Sequence, residues 1–276
     1  MPSAHRTSPA QYCVTLVGCG KMGGAMMRSW LNNNLIQKIS VFEPSDLPDA
    51  FSSNPVVNHE TSYQGQAIES DILILAIKPQ ILKEAAATIA QNLSEDTVVL
   101  SIAAGQSISS LETIFGTDRP IVRVMPNLPA SIGKGIGAAI TNSLVTTEQK
   151  EMAENLLQAS GETIWIEDES LMDSVTALSA TGAAYIFYLI ETMAQAGESL
   201  GLSHENSMQL ARQTVIGSAA LAEHAPETSA ATLRKNVTSP GGTTQAALEI
   251  LMDGRFQDLI TESLKAAKNR SIELNK

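Results

Sequence analysis

The chain has 276 residues, 43% hydrophobic and 17% charged, with a formal net charge of −11. That balance describes a globular chain with a substantial core, in one large domain or two ordinary ones. No basic block exists to meet nucleic acid or an anionic membrane, whereas a small anionic substrate stays open where local dipoles oppose the overall field. Two cysteines, Cys13 and Cys19, form neither a metal pattern nor a disulfide framework, which suits a reducing cytoplasm. Residues 1–10 are polar and lack the apolar core of a signal peptide, so they read as a frayed tail. The strongest apolar runs, such as residues 72–77, are far too short to span a bilayer.

In chain order, residues 12–17 read as a buried strand and 22–31 as the helix after it. Strands follow at 38–42 and 71–77, a helix at 80–90, and strands at 97–102 and 121–125. Apolar residues 137–140, a helix at 148–159 and a strand at 163–166 close the series. Alternating elements with near-continuous apolar strands predict a parallel sheet covered on both faces, an α/β doubly wound fold. Beyond about residue 167 no strand is expected. Residues 173–200 contain a run from Ala183 to Ile190 that is apolar on every side, so it must be covered in a core or at a subunit interface. Ser203 caps another helix running to about Glu223, and short helical material precedes Asn236. Ser239 fits as the cap of a helix ending at Asp253, with Gly254 as its stop, and a last helix spans 255–274. The division is thus residues 1–166, then an all-α part at 167–276 suited to self-association as a dimer.

Gly18-Cys19-Gly20-Lys21-Met22-Gly23 lies directly after a strand and opens a helix. In that setting the first glycine permits a tight turn, the second lets a pyrophosphate approach, and the third allows helix and strand to pack. This predicts a dinucleotide-binding Rossmann domain. Glu43, at the end of the next strand, is placed to accept hydrogen bonds from a ribose 2′-hydroxyl. A carboxylate there repels a 2′-phosphate, and Pro44-Ser45-Asp46 offers no arginine to hold one, so the chemistry leans towards NADH over NADPH. Two further loops fall at strand ends, where open α/β sheets bind ligands. In one, Lys78 either meets a phosphate or ribose or is a solvated surface lysine. In the other, Ala103 and its small neighbours let a nicotinamide pass close to the backbone. Asn127 either bonds the carboxamide or ribose or starts a turn.

The segment Asn236-Val-Thr-Ser-Pro-Gly-Gly-Thr-Thr244 precedes an apolar helical stretch. With Ser239 as N-cap and Pro240 in the first helical position, Gly241 and Gly242 would leave backbone N–H groups bare. Such a helix start seats a carboxylate or phosphate without a cationic side chain. An ordinary capped helix would explain the Ser-Pro pair but not the Gly-Gly-Thr-Thr after it.

With residues 18–23, 76–79, 125–129 and above all 238–244, the chain resembles the pyrroline-5-carboxylate reductases over residues 12–275. The resemblance implies reduction of 1-pyrroline-5-carboxylate to L-proline by NAD(P)H, the last step of proline biosynthesis. It also implies a Rossmann domain joined to a helical dimerisation domain, with dimers that often assemble further. By the same resemblance the substrate carboxylate falls to Ser239 and the amides of Gly241, Gly242 and Thr243. Thr244 matches the threonine bonded to the ring nitrogen, and Asn236 and Glu169 match positions lining the substrate pocket. Val17, Gly18, Cys19, Gly20, Lys21 and Met22 match nucleotide contacts, as do Ala76, Ile77, Lys78, Pro79, Ile102, Ala103 and Ala104. Two departures stand out. Ser179-Ala-Thr-Gly-Ala-Ala-Tyr185 has Ala183 where a proline is usual, and Tyr63 replaces an asparagine common in NADPH-using members.

Reducing a C=N bond asks little acid–base help, because the nitrogen can be protonated before hydride arrives. Orientation is the main requirement. A threonine hydroxyl suffices to position the nitrogen, and nothing adjacent in sequence activates Thr244 as a strong acid. A β-hydroxyacid dehydrogenase of similar layout needs a cationic acid, yet residues 167–203 contain no Lys, Arg or His. His204 follows on an expected exposed face. A non-catalytic dinucleotide sensor would keep residues 18–23 without needing 239–244.

Overall fold

The computed structural model describes residues 11–274, so the tail expected over residues 1–10 lies outside the described residues. The first turn of the fold is a βαβ unit: β1 (Tyr12–Val17), α1 (Lys21–Asn32) and β2 (Ile36–Phe42). A short helix α2 (Asp49–Ser52) leads to β3 (Val57–Glu60) at the sheet edge. Then come β4 (Ile72–Leu75), α3 (Pro79–Ala90), β5 (Val98–Ser101), α4 (Ile108–Phe115) and β6 (Ile121–Met125). A 3-10 turn, Leu128–Ile132, precedes β7 (Gly135–Thr141), α5 (Thr147–Gln158) and β8 (Gly161–Trp165).

These strands form one sheet in the order β3-β2-β1-β4-β5-β6-β7-β8. Strands β1 to β6 run parallel, and β1 separates β2 from β4, which makes a switch point where the chain first reverses direction across the sheet. The parallel sheet expected from the pattern holds through β6; β7 pairs antiparallel with β6, and β8 follows it in parallel. The link between β6 and β7 carries one 3-10 turn and no crossover helix, and a parallel return needs a longer connection.

Successive residues of a strand face opposite sides, so a strand covered on both faces must be apolar throughout. In β4, Ile72 and Ile74 join the core that holds Leu16, Met27, Trp30 and Leu156, whereas Leu73 and Leu75 join Leu82, Ile89, Leu111 and Phe115. All four β4 side chains are fully buried, each worth about 1.5–3 kcal/mol. Trp30 also donates its indole N–H to the carbonyl of Leu156 at 2.7 Å, tying α1 to α5 across the first core.

Packing divides the chain into two compact units: the sheet through Ala180 together with the stretch from Lys268, and Thr181–Ala267. The boundary expected after residue 166 falls earlier, where the sheet ends. A 3-10 turn (Glu169–Leu171), α6 (Met172–Val175) and a π-helical turn (Thr176–Ala180) complete the first unit. The second holds α7 (Gly182–Ser199), α8 (His204–His224), α9 (Ala230–Asn236) and α10 (Thr243–Leu251), and α11 (Arg255–Leu274) runs on past its end. Ser203 caps α8 as expected, accepting from the N–H of Asn206. The apolar run of α7 is largely open in the single chain: Phe187 is 54% and Tyr188 65% exposed. Among the described residues, Glu169–Ser199 is the stretch long and apolar enough to cross a membrane by length and composition, at a mean hydropathy of 1.2. It exceeds the longest apolar run picked out from sequence.

Candidate functional site

Two places gather the expected residues, one in each unit. In the sheet unit, Val17 ends β1 and Gly18 turns with φ +90°, a conformation few side chains adopt. A Cβ on Gly18 would meet Ile77 at 2.6 Å and the Ala76 carbonyl at 2.7 Å, and one on Gly23 would meet the Gly18 carbonyl at 2.3 Å. Both glycines are therefore required by the protein's own packing. Gly20 is different: nothing lies within 4 Å of its absent Cβ, and it is the N-cap of α1 without a side-chain cap. The open space at a bare helix start fits a dinucleotide pyrophosphate. Lys21 and Met22 begin the helix behind it.

Neighbouring strand ends complete this edge. The Ala76 N–H donates to the Val17 carbonyl at 2.8 Å, which sets residues 76–79 beside the glycine turn. Lys78 is the exposed N-cap residue of α3, with Pro79 opening the helix. At the end of β5, Ile102 is half-buried, Ala103 buried and Ala104 exposed.

Glu43 follows β2, and both carboxylate oxygens accept backbone hydrogen bonds, Oε2 from Cys19 at 2.7 Å and Oε1 from Ser45 at 3.2 Å. The Cys19 thiol is pushed up to about 11, first by burial and then by the charge of Glu43, with Arg28 opposing. It is thus a poor nucleophile at neutral pH. Just before Glu43, Phe42 meets the ring of Tyr63 edge-on, with centroids 5.3 Å apart, and the Tyr63 hydroxyl donates to the Gln66 carbonyl.

Asn127 has both ends of its amide engaged: Nδ2 donates to Ser179 Oγ at 3.1 Å, and Oδ1 accepts from the Ile136 N–H at 3.0 Å. Asn127 is also the residue before the 3-10 turn at Leu128–Ile132, without a side-chain cap bond to it. Glu169 is likewise engaged. Its Oε1 takes the guanidinium of Arg123 at 2.5 Å and the Ile108 N–H at 2.9 Å. Sequence reasoning gave Arg123 no role, although a lone arginine inside the apolar strand Ile-Val-Arg-Val-Met was a signal.

In the helical unit, the start of α10 differs from expectation. Ser239 is not its N-cap and Pro240 is not its first residue; Gly242 is the N-cap and the helix is Thr243–Leu251. Residues 239–242 instead form a turn, with the Gly242 N–H donating to the Ser239 carbonyl at 3.0 Å and Gly241 at φ +69°. Proline followed by a left-handed glycine suits a type II turn as well as a helix start, and here the turn prevails. The Gly241 N–H is also taken, by Gln245 Oε1 at 2.7 Å. The open donors therefore shift along the chain to the first-turn amides of Thr243, Thr244 and Gln245, which have no intrahelical partner. Asn236 ends α9, and the half-buried Thr244 hydroxyl has no hydrogen-bond partner among the described residues. The helix also stops earlier than expected, with Met252 as C-cap ahead of Gly254 at φ +104°. His204 is exposed and pairs with Glu198.

Residues 169–274 match the family model described as pyrroline-5-carboxylate reductase dimerisation, and residues 13–105 match an NADP oxidoreductase, coenzyme F420-dependent model. The pyrroline-5-carboxylate reductase of Haemophilus influenzae is 32% identical over 262 residues, covering 95% of this chain and 97% of that protein. The chain belongs to the pyrroline-5-carboxylate reductase family. The Pseudomonas aeruginosa member is 42% identical over 206 residues, 75% of each chain. Among solved structures, the Coxiella burnetii reductase superposes with a TM-score of 0.88 at 33% identity, covering 95% of this chain and 98% of that one. The Plasmodium falciparum reductase, with NADP bound, gives 0.81 at 30% identity over 97% and 100%. The N-terminal sheet is accordingly that of an NAD(P)-binding family. The dimerisation model spans the apolar stretch from Glu169, which indicates self-association.

Proposed function

We propose that this chain reduces 1-pyrroline-5-carboxylate to L-proline with NAD(P)H as the reductant. Residues 1–166 then bind the dinucleotide, and residues 167–276 supply self-association and the substrate seat. The observation that carries the reading is the start of α10. Thr243, Thr244 and Gln245 present first-turn amides, and beside them the Thr244 hydroxyl has no hydrogen-bond partner among the described residues. Uncharged donors at a helix N-terminus are matched to a carboxylate, and the threonine hydroxyl to a ring nitrogen. Ser239 and Asn236 flank this seat, with the 241–242 turn setting its entry.

When bound along residues 17–23, 76–79 and 102–104, the reduced nicotinamide supplies hydride to the C=N carbon. The protein's share is to hold the imino acid by its carboxylate and to orient its ring through Thr244. The absence of Lys, Arg and His from residues 167–203 is compatible with this substrate, which reaches the site with its nitrogen already protonable by solvent. For cofactor choice we propose NADH over NADPH, supported by the carboxylate of Glu43 at the ribose end of the site. We place the chain in the cytoplasm, where its two free thiols stay reduced.

The test is spectrophotometric. Adding 1-pyrroline-5-carboxylate to protein and NADH should deplete reduced-cofactor absorbance and form proline. Cofactor binding with no turnover on either NADH or NADPH would refute the proposed reaction.

A further inference from the structure

We propose that Arg123 and Glu169 are a positioning pair for the nicotinamide ring, acting on hydride transfer through the loop after β5 and without touching the imine, given the reading of Ile102, Ala103 and Ala104 as contacts of the reduced cofactor. Glu169 then has a different part from the lining of the substrate pocket that resemblance implied for it.

The loop runs over residues 102–107, and it is tied at both ends. At its start the Ile102 N–H donates to the Leu75 carbonyl at 3.1 Å, and the Ala103 N–H to Ser101 Oγ at 3.3 Å. At its far end the Ile108 N–H, which opens α4, donates to Glu169 Oε1 at 2.9 Å. A first-turn amide has no partner within its own helix, so the carboxylate supplies one from outside. Between these ties Gly105 takes φ +73° and Ala104 is exposed. The course of the loop therefore depends on where its ends are held.

Glu169 comes from the turn after β8, three strands along the sheet from β5. Arg123 brings it back. It lies opposite Ser101 in the register of β5 and β6, beside the point where the loop leaves the sheet. Its buried guanidinium meets the same Oε1 at 2.5 Å, which restricts the carboxylate to one placement.

A charge acting on the substrate and an acceptor acting on the loop are separated by two replacements. Glu169→Gln loses the charge, yet its amide oxygen still reaches Arg123 and Ile108. Glu169→Asp keeps the charge but is one methylene too short to reach both.

The experiment takes the full chain, both variants and Arg123→Met. Steady-state kinetics with the imine are paired with calorimetric titration of NADH and of ADP-ribose, which lacks the nicotinamide. Turnover is counted per NADH site, at a temperature below the melting transition of every variant. In Glu169→Asp and Arg123→Met, kcat should fall by about fivefold or more while KM for the imine stays within about twofold. Affinity for NADH relative to ADP-ribose should fall by about threefold in the same two variants. Glu169→Gln should keep both quantities within about twofold of the parent. A merely structural role lowers the amount of folded protein and leaves the NADH to ADP-ribose ratio unmoved. That unmoved ratio, a raised KM in Glu169→Gln, or a loss in Glu169→Gln as large as in Glu169→Asp, overturns the proposal. Should Arg123→Met fail to fold, the two Glu169 variants decide. A parent that binds NADH but turns over no imine refutes the proposed reaction alone, because the two titrations still test the pair. A parent that binds neither ligand refutes the cofactor reading and the pair together.

Discussion

The carboxylate of Glu169 and the guanidinium of Arg123 meet at 2.5 Å, and the same oxygen takes the N–H of Ile108 at the start of α4. Arg123 is 5% exposed, and its Nε has no partner among the described residues. One carboxylate thus neutralises a buried cation and fixes the turn at Glu169–Leu171 against β6 and α4. Removing it strands a buried charge, which costs more than removing both partners. Glu169→Ala should therefore lower unfolding free energy by about 3 kcal/mol. Arg123→Met, which takes the cation away, should cost less, and the double variant less than the sum. Urea unfolding of the three variants checks the order.

The glycines of the dinucleotide turn separate packing from ligand access. Gly18→Ala forces a Cβ against Ile77 and the Ala76 carbonyl at positive φ, so stability should fall by about 2 kcal/mol or more. Gly20→Ala meets nothing within 4 Å and should leave the melting temperature nearly unchanged. Its affinity for NADH should nonetheless drop by about tenfold or more, because the added methyl would stand in the open space proposed for the pyrophosphate. Calorimetric melting paired with cofactor titration reads both effects.

The contrast between these glycines also shows what was legible beforehand. The buried strands could be read from composition, because residues such as Ile72–Leu75 must be apolar on both faces. The edge strand Val57–Glu60 could not: as Val-Asn-His-Glu it has neither alternation nor an apolar run. The direction of β7 depends on the length of its connection rather than on its own residues. At the helical seat, Ser239-Pro240-Gly241 satisfies the rules for a helix start and for a turn alike, and only Gln245 reaching back to the Gly241 N–H distinguishes them. Glu43 reads as an acid near ribose, but its hold on Cys19 joins the loops that follow two separate strands, which local pattern does not report. Arg123 and Glu169 are farther apart still in sequence.

Burial and the Glu43 charge raise the Cys19 thiol from 9.0 to about 11, which gives alkaline stability a definite sign. As pH rises past 9.0, the unfolded thiol loses its proton first while the folded thiol keeps it. The unfolded state then binds fewer protons, so folding weakens through this window until the folded thiol also ionises near 11. The parent protein should accordingly lose more urea resistance across this range than Cys19→Ser. Glu43→Gln should shift the alkylation profile of Cys19 to lower pH. An unmoved profile would show that Glu43 has no electrostatic hold on the thiol.

Thr244 is the position where fold and proposed chemistry separate most cleanly. It stands in the first turn of α10, half-buried, and the helix takes its cap from Gly242, so the hydroxyl does no capping work. Alanine is a better helix former than threonine, and Thr244→Ala should leave the unfolding free energy within about 0.5 kcal/mol of the parent. Losing one hydrogen bond to the ring nitrogen should lower kcat/KM for the imine by about fivefold to tenfold. NADH affinity should stay within about twofold, because no dinucleotide contact is assigned to this residue. Thr244→Ser, which keeps the hydroxyl, should recover most of the loss. Steady-state kinetics with parallel cofactor titration decide it: equal kinetics in parent and Thr244→Ala would remove the threonine from substrate orientation and leave the backbone amides as the sole seat.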